Sequence, residues 1–99
     1  MIELNNDSFN ESIKHGNSIV DFFATYCGPC RALAQFMDKL EKEYKEVSFY
    51  KVNVENGCAV TEEFNVQSLP CVIFFSDGKE IARVVGNNQS KISEIIKSF

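Results

Sequence analysis

The chain predicts an α/β fold, a mixed sheet with helices on both of its faces. Three observations carry this. Strand-like and helix-like segments follow one another in the order β-α-β-α-β-α-β-β-α. The segments at residues 18–24 and 71–75 are apolar on both faces apart from Asp21, as strands covered on both sides are. Ser76-Asp77-Gly78-Lys79 is a hairpin signal that sets the last two strands antiparallel. Five strands and four helices are expected, in one domain spanning residues 1–99.

Each element has its own warrant. Ile2-Glu3-Leu4 is long enough only for a short edge strand. Asn6 or Asp7 is the expected N-cap of a helix that turns Phe9 and Ile13 to one side and stops before Gly16. Ser18 to Ala24 forms a central strand. From Pro29 onward, Leu33, Phe36, Met37, Leu40 and Tyr44 recur at helical spacing, while Asp38, Lys39, Glu41, Lys42 and Glu43 face outward. Pro29 falls in the first turn, where its missing N–H costs nothing. Val47 to Val54 is rich in β-branched and aromatic residues, so it reads as a strand. A short helix over residues 57–65 turns Val60 and Phe64 inward. Ser68-Leu69-Pro70 introduces the strand at 71–75, and the hairpin leads into Glu80 to Val85. Gly86-Asn87-Asn88 then breaks the chain before a last helix with Ile92, Ile95, Ile96 and Phe99 inward.

Composition narrows the function. Forty-four per cent of the residues are hydrophobic, with nine Phe and three Tyr, enough for a packed core. The net charge is −4 and no run of Lys and Arg forms a stripe, which argues against nucleic acid or an anionic membrane as partner. No apolar run approaches the roughly 20 residues of a membrane span. Residues 1–6 lack the basic and apolar regions of a secretory signal, so a cytoplasmic protein, or a mature form whose address was removed, is expected. In a reducing compartment, four cysteines in so short a chain speak for catalysis or metal binding rather than a disulfide scaffold.

The chemistry concentrates between residues 20 and 30. Val20-Asp21-Phe22-Phe23-Ala24 is an apolar strand carrying one carboxylate, and Cys27-Gly28-Pro29-Cys30 opens the long helix. Two sulfurs three positions apart close into a small ring or open into two thiols without rearranging the chain. At a helix start the first sulfur meets outward-pointing N–H groups and the positive end of the dipole, which favour an anion. A thiol held partly as thiolate is the form that attacks disulfides. A zinc site needs two more ligands in a matched pair, and the only histidine, His15, lies in the first helix region. Asp21, flanked by Val20, Phe22 and Phe23, is expected to be buried. Without a partner its proton affinity rises and it becomes a proton carrier.

These residues together resemble thioredoxin: Val20-Asp21-Phe22-Phe23-Ala24 before Cys27-Gly28-Pro29-Cys30, Leu69-Pro70 before a buried strand, the Asp77-Gly78 hairpin, and Val85-Gly86 before a final helix. The match covers nearly the whole chain in the family's order. The resemblance implies the thioredoxin fold, a central mixed five-stranded sheet flanked by four helices. It implies a protein-disulfide reductase with Cys27 as attacking sulfur, Cys30 as resolving sulfur, and Asp21 as acceptor of the resolving thiol's proton. Lys51 matches the family's Lys on the neighbouring strand, although an exposed strand Lys is the other reading. The resemblance also implies a cis Leu69–Pro70 bond, against the ordinary preference for trans. It assigns a flat substrate surface to Tyr26, Gly28, Pro29, Leu69, Pro70, Val85 and Gly86, where the residue before Pro70 offers backbone hydrogen bonds to an extended substrate segment. No metal or organic cofactor is expected, because the disulfide itself carries the electrons. The implied partners of this monomer are thioredoxin reductase as donor and disulfide-bearing targets such as peroxiredoxins or reductases.

The chain departs from the family at several positions. Tyr26 and Phe23 stand where thioredoxins usually carry Trp, and Gln35 replaces a helix-kinking Pro, so a straighter helix is expected. Cys71 follows Pro70 where Thr is common; it reads as a small buried strand residue, the alternative being a third sulfur that trades disulfides with Cys27. Cys58 reads as accessible and open to oxidation. Two rival functions share the scaffold. Against an isomerase or oxidant stands Pro29, where isomerases usually carry His. The other rival is a binding module that grips a partner through the reduced pair.

Overall fold

A computed structural model describes residues 1–99. The elements run β1 (Ile2–Glu3), α1 (Phe9–Ile13), β2 (Asn17–Phe23), α2 (Gly28–Glu43), β3 (Ser48–Asn53), α3 (Cys58–Glu63), β4 (Cys71–Ser76), β5 (Lys79–Val85) and α4 (Gln89–Lys97). The strands form one sheet in the order β1-β3-β2-β4-β5. β1, β3 and β2 pair in parallel, whereas β4 runs antiparallel to β2 and β5 antiparallel to β4. The mixed sheet expected from the element order is the one observed.

Burial on both faces follows from the period of two along each strand. On one face Ile19, Val72 and Phe74 pack with Leu33, Met37 and Leu40 of α2 and with Ile92 and Ile96 of α4. On the other, Val20, Phe22, Ile73 and Phe75 pack with Phe9 and Ile13 of α1 and Val60 of α3. Phe64 is partly buried and closes this second core, its ring 5.4 Å from that of Phe9 and 5.3 Å from that of Phe75. β2 therefore lies between two apolar layers, and whatever polar group it carries is withdrawn from water.

Local chemistry sets the ends of the elements. The expected N-cap of α1 was Asn6 or Asp7, but the structure places Ser8 there, with no side-chain cap bond. The reason is an upstream turn: Asn5 Oδ1 accepts from the N–H groups of Asp7 and Ser8, both at 2.9 Å, while Ser8 Oγ accepts from Asn5 N at 3.0 Å. The third helix is shorter than its apolar pattern, because Phe64 is its cap and Asn65 turns left-handed at φ 52°. Asn88 caps α4 by accepting from Lys91 N at 3.2 Å. The β4–β5 ladder slips between Phe74 and Phe75, so Ile81 has no partner and is exposed. α2 runs without a break past Gln35.

Candidate active site around Cys27 and Cys30

The site forms where β2 ends and α2 begins. Cys27 is the N-cap of α2, extended at φ −90° and ψ 109°, and its Sγ accepts from Cys30 N at 3.3 Å. Pro29 lies in the first turn, as its chemistry favours. Cys27 and Cys30 are joined as a disulfide, their Cα atoms 5.2 Å apart. The two sulfurs differ in access: Cys27 is half-buried at the protein's edge, whereas Cys30 is 2% exposed and turned inward. Cys27 is thus the sulfur within reach of the solvent, and Cys30 the enclosed one.

Asp21 lies on β2 beneath α2, 2% exposed. Its Oδ1 is buried without a hydrogen-bond partner in the protein. Burial pushes the carboxyl up from 3.8 to about 7, and the positive charge of Lys51 opposes part of that rise. Lys51 is the register partner of Asp21 on β3, so both side chains leave the same face of the sheet. It is half-buried, which removes the reading of a free exposed Lys. Asp21, Phe23, Lys51 and Cys30 line one cleft of about 280 Å3. The carboxyl and the resolving sulfur thus share a space partly closed to solvent.

The expected substrate surface assembles at the same end of the sheet. Cys71 at the start of β4 is in register with Phe22 near the end of β2 and with Val85 at the end of β5. Leu69-Pro70 and Val85-Gly86 thereby converge, and Gly86 N donates to Pro70 O at 2.8 Å. The Leu69–Pro70 bond is cis. Tyr26 is 75% and Val85 55% exposed, and Gly28 and Pro29 are open to solvent beside Cys27. Leu69 is half-buried and Pro70 buried, so this edge of the surface presents backbone more than side chain.

The remaining sulfurs are separated from this chemistry. Cys71 is 1% exposed and packs with Val20, Phe22 and Ile73, on the face away from α2. Burial pushes its thiol up, with Arg83 opposing the rise. It is a buried strand residue, and that placement removes it from exchange with Cys27. Cys58 is exposed at the start of α3. No three His, Cys, Asp or Glu side chains converge as a metal-binding group.

Sequence reasoning missed Arg31. Its Nη1 donates to Thr25 O at 3.1 Å, and it lines the cleft beside Asp21. A long cation in the first turn of a helix opposes the dipole, and that mismatch was the available signal. Thr25 Oγ1 also bonds Glu55 at 3.1 Å, tying the loop before Cys27 to the end of β3. Nothing in the sequence marked that pair.

Comparison with known proteins agrees with this geometry. The family model described as Thioredoxin matches residues 1–98. Thioredoxin-2 of Saccharomyces cerevisiae is 42% identical over 80 residues, 81% of this chain and 77% of that protein. The structure of Plasmodium falciparum thioredoxin superposes with a TM-score of 0.96 at 31% identity, covering 100% of this chain and 99% of that one. A chain from a structure on thiol resolution in yeast mitochondrial 1-Cys peroxiredoxin by glutathione and thioredoxin systems gives a TM-score of 0.95 at 29% identity, covering 100% of this chain and 95% of that one. With a cysteine pair across the start of α2, a buried carboxyl beneath it, a family model that matches residues 1–98 and a relative 42% identical over 81% of this chain's length, the chain belongs to the thioredoxin family of protein-disulfide oxidoreductases.

Proposed function

We propose that this domain, residues 1–99, reduces protein disulfides in the cytoplasm with Cys27 attacking, Cys30 resolving and Asp21 taking the proton. The observation that carries the roles is the asymmetry of the pair: Cys27 caps α2 at the edge, and Cys30 lies buried in the cleft of Asp21. The Cys27 thiolate attacks one sulfur of the target disulfide, forming a mixed disulfide and releasing the target's other sulfur as a thiolate. Cys30 gives its proton to the Asp21 carboxylate, and its thiolate attacks Cys27 Sγ. The mixed bond breaks and the second target sulfur leaves as a thiolate. The target has gained two electrons and the pair has become the Cys27–Cys30 disulfide. Proton and electrons are then accounted for, and Asp21 returns its proton to water.

Two features suit Asp21 to this step. Its carboxyl titrates at about 7, where it both accepts and gives up a proton. Lys51 favours the ionised form and so keeps the acceptor open. Around Cys27, Tyr26, Gly28, Pro29, Leu69, Pro70, Val85 and Gly86 offer a shallow surface for an extended target segment, a mode that tolerates many sequences. Acting as a monomer with no metal or organic cofactor, the protein takes electrons from a thioredoxin reductase and gives them to disulfide targets such as peroxiredoxins. The likeness to a chain from a peroxiredoxin-resolving system supports that target class.

Reduction of insulin disulfides with dithiothreitol as electron source tests the roles. Wild type is expected to turn over, Cys27→Ser to lose activity by more than about a hundredfold, and Cys30→Ser to accumulate as a mixed disulfide with its target. Equal turnover in wild type and Cys27→Ser would remove the mechanism.

A further inference from the structure

Lys51 is placed to pair with Asp21 and does not. None of the ion pairs of the structure includes Lys51, and Asp21 Oδ1 has no partner. The ammonium lies instead over the ring of Phe23, 5.7 Å from its centroid. Phe23 follows Asp21 by two positions on β2, so the two share a face, and Phe23 is the diagonal cross-strand neighbour of Lys51.

Other charged groups share the cleft of Asp21, and the N-terminal ammonium of Met1, which also lines it, is paired with Glu41 at 3.0 Å. From α2, Cys30, Arg31 and Asp38 line the same cleft. Arg31 is held by its bond to Thr25 O at 3.1 Å. From β4, Cys71 lies behind the strand and carries no charge near neutral pH. A protonated Asp21 offers an ammonium little, and the ring face is then the better partner. An ionised Asp21 competes for it.

We propose that Phe23 is a positioning residue for the resolving step: its ring holds the Lys51 ammonium off Asp21, so that the carboxyl still takes up and keeps a proton. This rests on the reading of Asp21 as proton acceptor. Freed from the ring, Lys51 approaches the carboxylate and favours its ionised form, which weakens its hold on the proton. A cation over an aromatic face corresponds to roughly a two- to fivefold change in that equilibrium.

Carbon-13 NMR titration of the Asp21 carboxyl in the oxidised protein tests the proposal directly. Phe23→Leu is expected to lower its proton affinity by about two- to fivefold, and Phe23→Trp, which restores an aromatic face, to keep it at or above the wild-type value. In a Lys51→Met background the effect of Phe23→Leu is expected to vanish. An unchanged or increased affinity in Phe23→Leu overturns the proposal. So does an equal drop in the Lys51→Met background, which points to water entering the cleft instead. The pH dependence of mixed-disulfide release is followed in the same variants. If the carboxyl titration moves and the release profile does not, Asp21 is not the acceptor, and the hold of Phe23 on Lys51 stands alone.

Discussion

Asp21 and Asp77 lie toward opposite ends of the β2–β4 ladder and meet opposite conditions. Asp77 is exposed at the hairpin, where its Oδ1 accepts from Gly16 N at 2.7 Å and its own N–H donates to Gly16 O at 2.9 Å. It sits in the left-handed region at φ 48°, a conformation that Asp tolerates better than most residues. Asp21 has the reverse: an extended strand backbone, almost no exposed surface and an unpartnered oxygen. The same side chain is a clip in one place and a proton store in the other. What separates them is whether the local bonds are complete.

Removing the charge at each position sharpens this contrast, and the largest effect belongs to Asp21. Between 3.8 and about 7 the folded state keeps the Asp21 proton while the unfolded state has lost it, so stability falls as pH rises through that window. Asp21→Asn is therefore expected to gain on the order of 4 kcal/mol over wild type at pH 9 and to converge with it below about pH 4. Urea unfolding of the oxidised proteins at both pH values measures it, and parallel stability curves would mean that Asp21 ionises as an ordinary carboxylate.

Asp77 should answer differently. Asp77→Ala loses the bond to Gly16 and keeps the left-handed strain, at a cost of about 1–2 kcal/mol. Asp77→Gly loses the bond but relaxes the backbone, so it is expected to recover roughly 1 kcal/mol of that. Thermal unfolding at pH 7 measures both, and equal losses in the two variants would mean that the left-handed backbone at residue 77 carries no strain.

The smallest effect is expected from Lys51→Met. Loss of the positive charge beside Asp21 raises the pH at which the carboxyl ionises, and with it the pH at which mixed-disulfide release reaches half its maximum. Stopped-flow release from a model substrate between pH 5 and 9 checks the direction. A shift to lower pH would mean that Lys51 acts on Asp21 through packing rather than charge.

Much of this was legible in the chain. The period of two at β2 and β4 and the helical spacing from Leu33 to Leu40 reported burial, which is a local property of pattern. Asp21 announced itself because a carboxylate inside an apolar strand has few structural uses. The cis bond at Leu69–Pro70 came only through the resemblance, since spacing carries no mark of the isomer. The cap of α1 was misplaced because three neighbouring polar residues all suit the role, and the choice falls to the Asn5–Ser8 turn. The seat of Lys51 over Phe23 depends on side-chain placement between strands, which no one-dimensional pattern encodes.

The exposure of Cys58 has a use at the bench. In the oxidised protein, Cys27 and Cys30 are bonded to each other and Cys71 is enclosed, which leaves one thiol open to a maleimide. A single dye, bead or surface tether can thus be fixed per molecule without engineering the sequence. Because β2 and β3 run in parallel, α2 and α3 start at the same end of the sheet on opposite faces, so such a handle lies at the end that carries Cys27 and calls for a tether long enough to leave that end open.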